Sequence, residues 1–327
     1  MDRRAVLFSI GGGLLVAPFA IRAQKPPKVW RIGFLSGAGR PADGLPPPAF
    51  RQAMQELGYT ADKNVTYVGR WADVNAERLP ALAAELVQLD VDILLTFGGP
   101  AALAAKAATA TMPIVVIAPG DALGVGLVTS LARPDGNITG VTDPATELSA
   151  KRLGLLKEAI PSATRIAVIW NANDRAMTLR YGEVERAARL LKVTVQPLSV
   201  RKPEDIDAAL ATMTRERPDA FFVVSDSLTT SNRKRIVDFA AAQHLPAMYE
   251  FGVFVQDGGL MSYGPTLDEM YRRGATYIDR ILKGAKPGVL PLEQPTGYFL
   301  LLNLKTAKAL GVTIPSAILL RADEVFQ

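Results

Sequence analysis

Strand, helix, strand, helix, strand, helix, strand: this order runs through the chain twice, and few folds can absorb it. In the first round, residues 29–35, 65–71, 93–97 and 114–118 read as strands, and 49–57, 78–89 and 101–110 as helices. In the second, 166–170, 193–198, 220–224 and 247–250 read as strands, and 177–191, 203–215 and 231–243 as helices. Strands alternating with helices of this length are crossover units of a parallel sheet. Runs such as ILLTF and IVVIA are apolar throughout, as strands covered on both faces must be. The reading is α/β, with two doubly wound parallel-sheet lobes. A third section, a strand at 260–263 and a helix at 267–282, is too small to fold alone. It is expected to complete the first lobe, and the tail from Tyr298 the second. Residues 24–143 with 251–290 then form one lobe and 144–250 with 291–327 the other, joined by a three-crossover hinge beside a cleft.

Residues 1–23 stand apart. Arg3 and Arg4 precede an uncharged run at 5–20, and the small Ala23 closes the segment, giving the three parts of a bacterial export signal. The run is shorter than the ~20 residues that span a bilayer and Pro18 interrupts it, which favours removal over anchoring. The twin arginines, Gly11 to Gly13 and Arg22 lean toward the folded-export route, but the residues flanking the pair fit it poorly, so the route stays open. Cutting after Ala23 removes Arg3, Arg4, Arg22 and Asp2. That takes 37 basic and 32 acidic residues to 34 and 31, a net charge of about +3, too small and too evenly spread to indicate nucleic acid. The chain has no cysteine, which excludes disulfides, thiolate metal sites, a cysteine nucleophile and a lipid-bearing cysteine. An exported protein without a tether points to a Gram-negative periplasm.

From the third section onward the residues become specific. GGLMSYGP at 258–265, the stretch YIDRILKGAKPGVLPLEQPTGYFLLLNLKTAKALGVTIP at 277–315 and LLRADEV at 319–325 closely resemble the ABC-transporter substrate-binding protein family that includes tryptophan/tyrosine-type uptake proteins. SLARPDGNITGVT at 130–142 and DSLTTSNRKRIVDFAA at 226–241 fit the same family. The resemblance covers nearly the whole chain after residue 23. It implies a type I periplasmic-binding-protein-like fold, a small-molecule ligand and delivery to the membrane permease of an ABC importer. Amino-acid binders of the family carry a glutamine and a His-Pro pair near the first loop and an Asp-Pro-Val-like element after the fourth strand. Here Phe34-Leu35-Ser36 and Pro119-Gly120-Asp121 occupy those places. The scaffold therefore transfers, while the ligand stays open among amino acids and aromatic or carboxylate compounds.

Ligands of parallel α/β sheets collect outside the carboxyl ends of strands, where helix N-termini present unpaired N–H groups. That rule nominates Ser36 and Gly37 after the first strand, and Thr96, Phe97, Gly98, Gly99 and Pro100 after the third, where proline opens a helix directly. Asp121 after the fourth strand suits an ammonium group. The second lobe contributes Asn171 and Asn173, Asp226 and Ser227, and Tyr249 beside Glu250; the third section contributes Tyr263. Asp226 reads equally well as a helix cap. Phe97, Tyr249 and Tyr263 either sandwich an apolar group or belong to the core. Residues 37–42 match G-x-G-x-x-A, but Pro41 and Pro46 to Pro48 postpone the helix and no nucleotide site follows.

The catalytic inventory is thin. His244 is the single histidine and sits at a helix end. Metal, thiol and most serine-histidine sites are thereby lost, and no cofactor is expected. A monomeric solute binder is the expectation, with a periplasmic sensor presenting its closed form to a receptor, or a carboxylate-dependent hydrolase, as alternatives.

Overall fold

The computed structural model describes residues 28–134, 136–143 and 145–327. The expected export signal lies outside the described residues. The strands are β1 (Trp30–Ser36), β2 (Val65–Trp71), β3 (Ile93–Phe97), β4 (Ile114–Ile117), β5 (Ile138–Val141), β6 (Arg165–Asn171), β7 (Thr194–Val200), β8 (Ala220–Val223), β9 (Ala247–Tyr249), β10 (Met261–Gly264), β11 (Leu292–Glu293), β12 (Phe299–Asn303) and β13 (Glu324–Phe326). The main helices are α1 (Pro48–Glu56), α2 (Leu79–Gln88), α3 (Gly99–Ala108), α4 (Ala145–Ala159), α5 (Arg175–Leu190), α6 (Pro203–Glu216), α7 (Ser227–Ser231), α8 (Arg233–Ala242), α9 (Gly252–Gln256) and α10 (Leu267–Leu282).

Two sheets result. The first runs β11-β5-β4-β3-β1-β2 and is parallel throughout; the second runs β13-β12-β10-β9-β8-β6-β7, with one antiparallel pair, β10 with β12. The central strands are buried along their length, as in Ile114 to Ile117 and Ala220 to Val223. Helix α1 begins at Pro48, whose fixed φ suits a first turn, and places Phe50 and Met54 in one buried cluster with Ile32 and Phe34 of β1. Complete burial of one such side chain contributes about 1.5–3 kcal/mol. The second sheet gains a similar layer from Ile206, Ile236 and Phe254 on Ile169, Phe221 and Val223.

The third section divides differently from the expectation. Strand β10 pairs with β9 and β12, so it belongs to the second sheet; only α10 joins the first lobe, where Met270, Ala275 and Ile278 pack on the β4 side. Leu292 and Glu293 likewise pair with Gly140 and Val141 of the first sheet, although the sequence reading gave them to the second lobe. The cause is local. Gly264 lets β10 pass the Glu250 carbonyl, which lies 2.1 Å from where a Cβ would stand, and the chain changes lobe only after it. The three crossings are therefore β5 to α4, β10 to α10 and β11 to β12. The helix expected at 231–243 forms as α8, and a short helix not foreseen, α7, precedes it across Asn232. Helix α4 and strand β5 were not foreseen as elements.

Candidate functional site

At the carboxyl ends of both sheets the lobes face each other across a cavity of about 590 Å³, counting its solvent-facing mouth. The first lobe supplies Gly37, Val74 and the turn from Phe97 to Ala101; the second supplies Asn171, Asp174, Arg180 and residues 225 to 228. In the first lobe β3 ends at Phe97, and Gly98 takes φ 85, a conformation open to glycine, which turns the chain straight into α3 with Pro100 in its first turn. The N–H groups of Gly99 and Ala101 have no partner within the helix, and both residues line the cavity. In the second lobe Asp226 is part of a reciprocal cap: its Oδ1 accepts from Thr229 N at 3.0 Å, while Thr229 Oγ1 accepts from Asp226 N. Its Oδ2 accepts from Asn171 Nδ2 at 2.7 Å. Both readings of Asp226 thus describe it, a cap and a wall of the cleft.

The lobes touch through glycines. A Cβ on Gly37 would stand 3.3 Å from Ser227 Cβ and Oγ, and one on Gly120 would stand 2.6 Å from Ala176 Cβ. Small residues on one lobe therefore meet the first turns of helices on the other.

Behind the cavity lies a buried ion network. Arg180 donates to Asp143 Oδ1 and Glu250 Oε2, each at 2.6 Å, and Arg152 donates to Glu250 Oε1 at 3.2 Å and to the Tyr263 carbonyl at 2.7 Å. All four charged residues are buried. Burial lowers the Arg180 pKa, but Asp143 and Glu250 outweigh it and leave that pKa raised. Asp143 lies on the first crossing and Tyr263 on the strand that feeds the second, so the network ties cavity wall to hinge.

Asp174 caps α5, accepting from Ala176 N at 2.9 Å. Burial, then the neighbouring Asp226 charge, pushes its carboxyl up to about 6, against the pull of Arg180 and the Ala176 and Met177 N–H groups. A raised carboxyl pKa means the folded state holds the proton more tightly than the unfolded chain. Its contribution to stability is complete below about pH 4 and is lost as pH rises through 6. Measured by urea unfolding, the stability of the parent relative to Asp174→Asn should rise as pH falls from 7 to 4; a pH-independent difference would contradict this assignment.

Of the residues nominated from sequence, Gly37, Phe97, Gly98, Gly99, Pro100, Asn171, Asp226 and Ser227 line the cavity. Six do not. Ser36 Oγ accepts from Ala38 N and shapes its own loop, and Thr96 is buried inside β3. Asp121 Oδ1 accepts from Gly124 N, and Asn173 donates to the Arg201 carbonyl. Tyr249 stacks on Phe254 at 4.7 Å in the second core. Tyr263 meets Lys151 and Tyr298 at the hinge. The aromatic sandwich is not formed either, because Phe97 stacks on Tyr271 at 5.7 Å. Asp174, Met177, Arg180 and Ser225 were missed; only Asp174 carried a signal, as a helix cap ahead of an apolar-periodic run. Among the described residues, no group of three His, Asp or Glu is placed to hold a metal ion, and no helix is long and apolar enough to cross a membrane.

Two parallel-sheet lobes joined by three crossings, with a cavity at their seam, define a type I periplasmic-binding-protein-like fold. The chain belongs to the ABC transporter substrate binding protein family, whose model matches residues 46–326. A tyrosine-binding protein of Clostridioides difficile (strain R20291) is 25% identical over 269 residues, covering 82% of this chain and 77% of that one. Among solved structures, a conserved domain protein from Vibrio cholerae superposes with a TM-score of 0.83 at 26% identity, covering 91% of this chain and all of that one. An ABC domain from Streptococcus pneumonia in complex with L-Trp gives 0.82 at 26% identity with the same coverage.

Proposed function

We propose that this protein captures a small organic solute, an amino acid or a close relative of one, by closure of its two lobes and delivers it to the permease of an ABC importer. The observation that carries this reading is the cavity wall itself: the α3 turn of one lobe and the Asn171, Asp174 and Asp226 group of the other enclose one space. A ligand can bias an open–shut equilibrium only by its difference in affinity for the two forms, and contacts to both lobes exist only when they are shut. The relatives that bind L-Trp and tyrosine support the amino-acid class. We read the protein as a binder and not a catalyst, because the cavity's two free-standing carboxylates both serve as helix caps and His244 bonds the Ala309 carbonyl away from the cleft. The leader-like residues 1–23 support a periplasmic site of action, and the hinge geometry asks for no second copy of the chain.

Uptake tests the reading. A thermal-shift screen against amino acids, aromatic acids, purines and small peptides selects a solute; at ~100 times its dissociation constant a ligand stabilises by ~2.7 kcal/mol. Deleting the gene is expected to abolish high-affinity uptake of that solute, and unchanged uptake would refute the transport role.

A further inference from the structure

The walls of the cleft and the network behind them hold two guanidiniums, Arg152 and Arg180, against four carboxylates, Asp143, Glu250, Asp174 and Asp226. Arg180 is committed to Asp143 and Glu250, and Arg152 to Glu250. Asp174 and Asp226 therefore face the cavity with helix-cap and amide partners but no cation of their own. Burial first, and then the neighbouring Asp226 charge, raises the Asp174 pKa.

A carboxylate of the protein already stands near the first turn of α3: Asp174 Oδ1, which caps α5, lies 3.7 Å from the position a Cβ would have on Gly99. An independent sign of a ligand lies alongside: Ser225 lines the same cavity, is 2% exposed, and its Oγ has no hydrogen-bond partner. The wall also has an apolar part, with Val74 and Leu79 from one lobe and Leu228 and Phe251 from the other.

We infer that the cleft selects its solute by an ammonium group held between Asp174 and Asp226, with an apolar remainder against Val74, Leu79, Leu228 and Phe251, and that a carboxylate on the solute adds nothing. This rests on the capture reading above and narrows it: simple amines are ligands in their own right. A buried ammonium–carboxylate contact is a charge-assisted hydrogen bond, and losing one costs roughly ten- to a hundredfold in affinity. Ser225 offers its hydroxyl as a further partner at the same end.

Matched triads separate the groups. Calorimetric titration of the purified protein would compare L-tryptophan, tryptamine and indole-3-propionate; L-tyrosine, tyramine and 3-(4-hydroxyphenyl)propionate; and L-leucine, isopentylamine and 4-methylpentanoate. The amine is expected to bind at least as tightly as the amino acid in one or more triads, with the acid weaker by at least about tenfold. Asp174→Asn and Asp226→Asn keep their capping oxygens, so the fold stands, and each should weaken the amine by about tenfold or more. An acid bound as well as its amine, an amino acid tenfold tighter than its amine, amide variants that bind amines unchanged, or no amine bound at all would each overturn the inference. An acid that binds and closes the lobes in solution scattering would sink it while leaving solute capture intact; a ligand bound tightly without closure would sink capture itself.

Discussion

Arg180→Met is expected to destabilise the protein by about 3–5 kcal/mol, read as a lower urea midpoint at unchanged slope. Arg180 is 1% exposed, and its two terminal nitrogens reach Asp143 and Glu250, both buried. Methionine fills much of the volume but takes away a cation that both carboxylates face, leaving Glu250 with Arg152 alone. Burying a carboxylate without that compensation is the costly half of a buried ion pair, whereas making the pair yields little over an apolar core. Arg180→Lys keeps the charge and loses the fork that reaches two carboxylates at once, so it should fall between the parent and methionine. Because Asp143 sits on a crossing, the methionine variant should also loosen the hinge, seen as faster amide exchange at residues 138 to 143. A loss under 1 kcal/mol for Arg180→Met would show that the network is not what holds these segments together.

Gly37→Val should do the opposite: leave the fold alone and stop the lobes from meeting. Gly37 has no left-handed φ, so valine meets no left-handed backbone strain, and no first-lobe atom outside its chain neighbours lies within 4 Å of the new Cβ. Its Cβ would stand 3.3 Å from Ser227 across the seam, and the two methyls beyond it would enter the opposite lobe. Overpacking of this kind costs about 1–3 kcal/mol, charged here only to the shut form. Solute affinity should fall roughly ten- to a hundredfold, while unfolding stability without ligand stays within about 0.5 kcal/mol. Parent-like affinity in Gly37→Val would place the ligand outside the seam.

Much of the fold could be read from the chain because its central strands are unbroken apolar runs. Strands at 65–71 and 93–97 form where the pattern put them, and the α3 turn follows from Gly98, Gly99 and Pro100. Helix α4 was hidden by its own chemistry: Ser149 and Arg152 occupy buried positions beside Leu153 and Leu156, so the face turned inward is part polar and its apolar period is weak. Arg152 and Arg180 look like ordinary surface arginines until Glu250 arrives from 98 and 70 residues away. Tyr249 and Tyr263 fell to the opposite error. Proximity to a strand end nominated them, but which face a side chain takes is set by the pleat, and theirs led into the core and the hinge. The lobe exchange at Gly264 left no trace in hydrophobic pattern because β10 is buried in either assignment.

Small-angle scattering with and without a solute chosen by thermal shift puts the central claim to its most direct test. Closure by a two-lobe ligand predicts a smaller radius of gyration on binding in the parent, and a lesser change in Gly37→Val at the same solute concentration. Identical scattering of the free and saturated parent protein would contradict capture between the lobes.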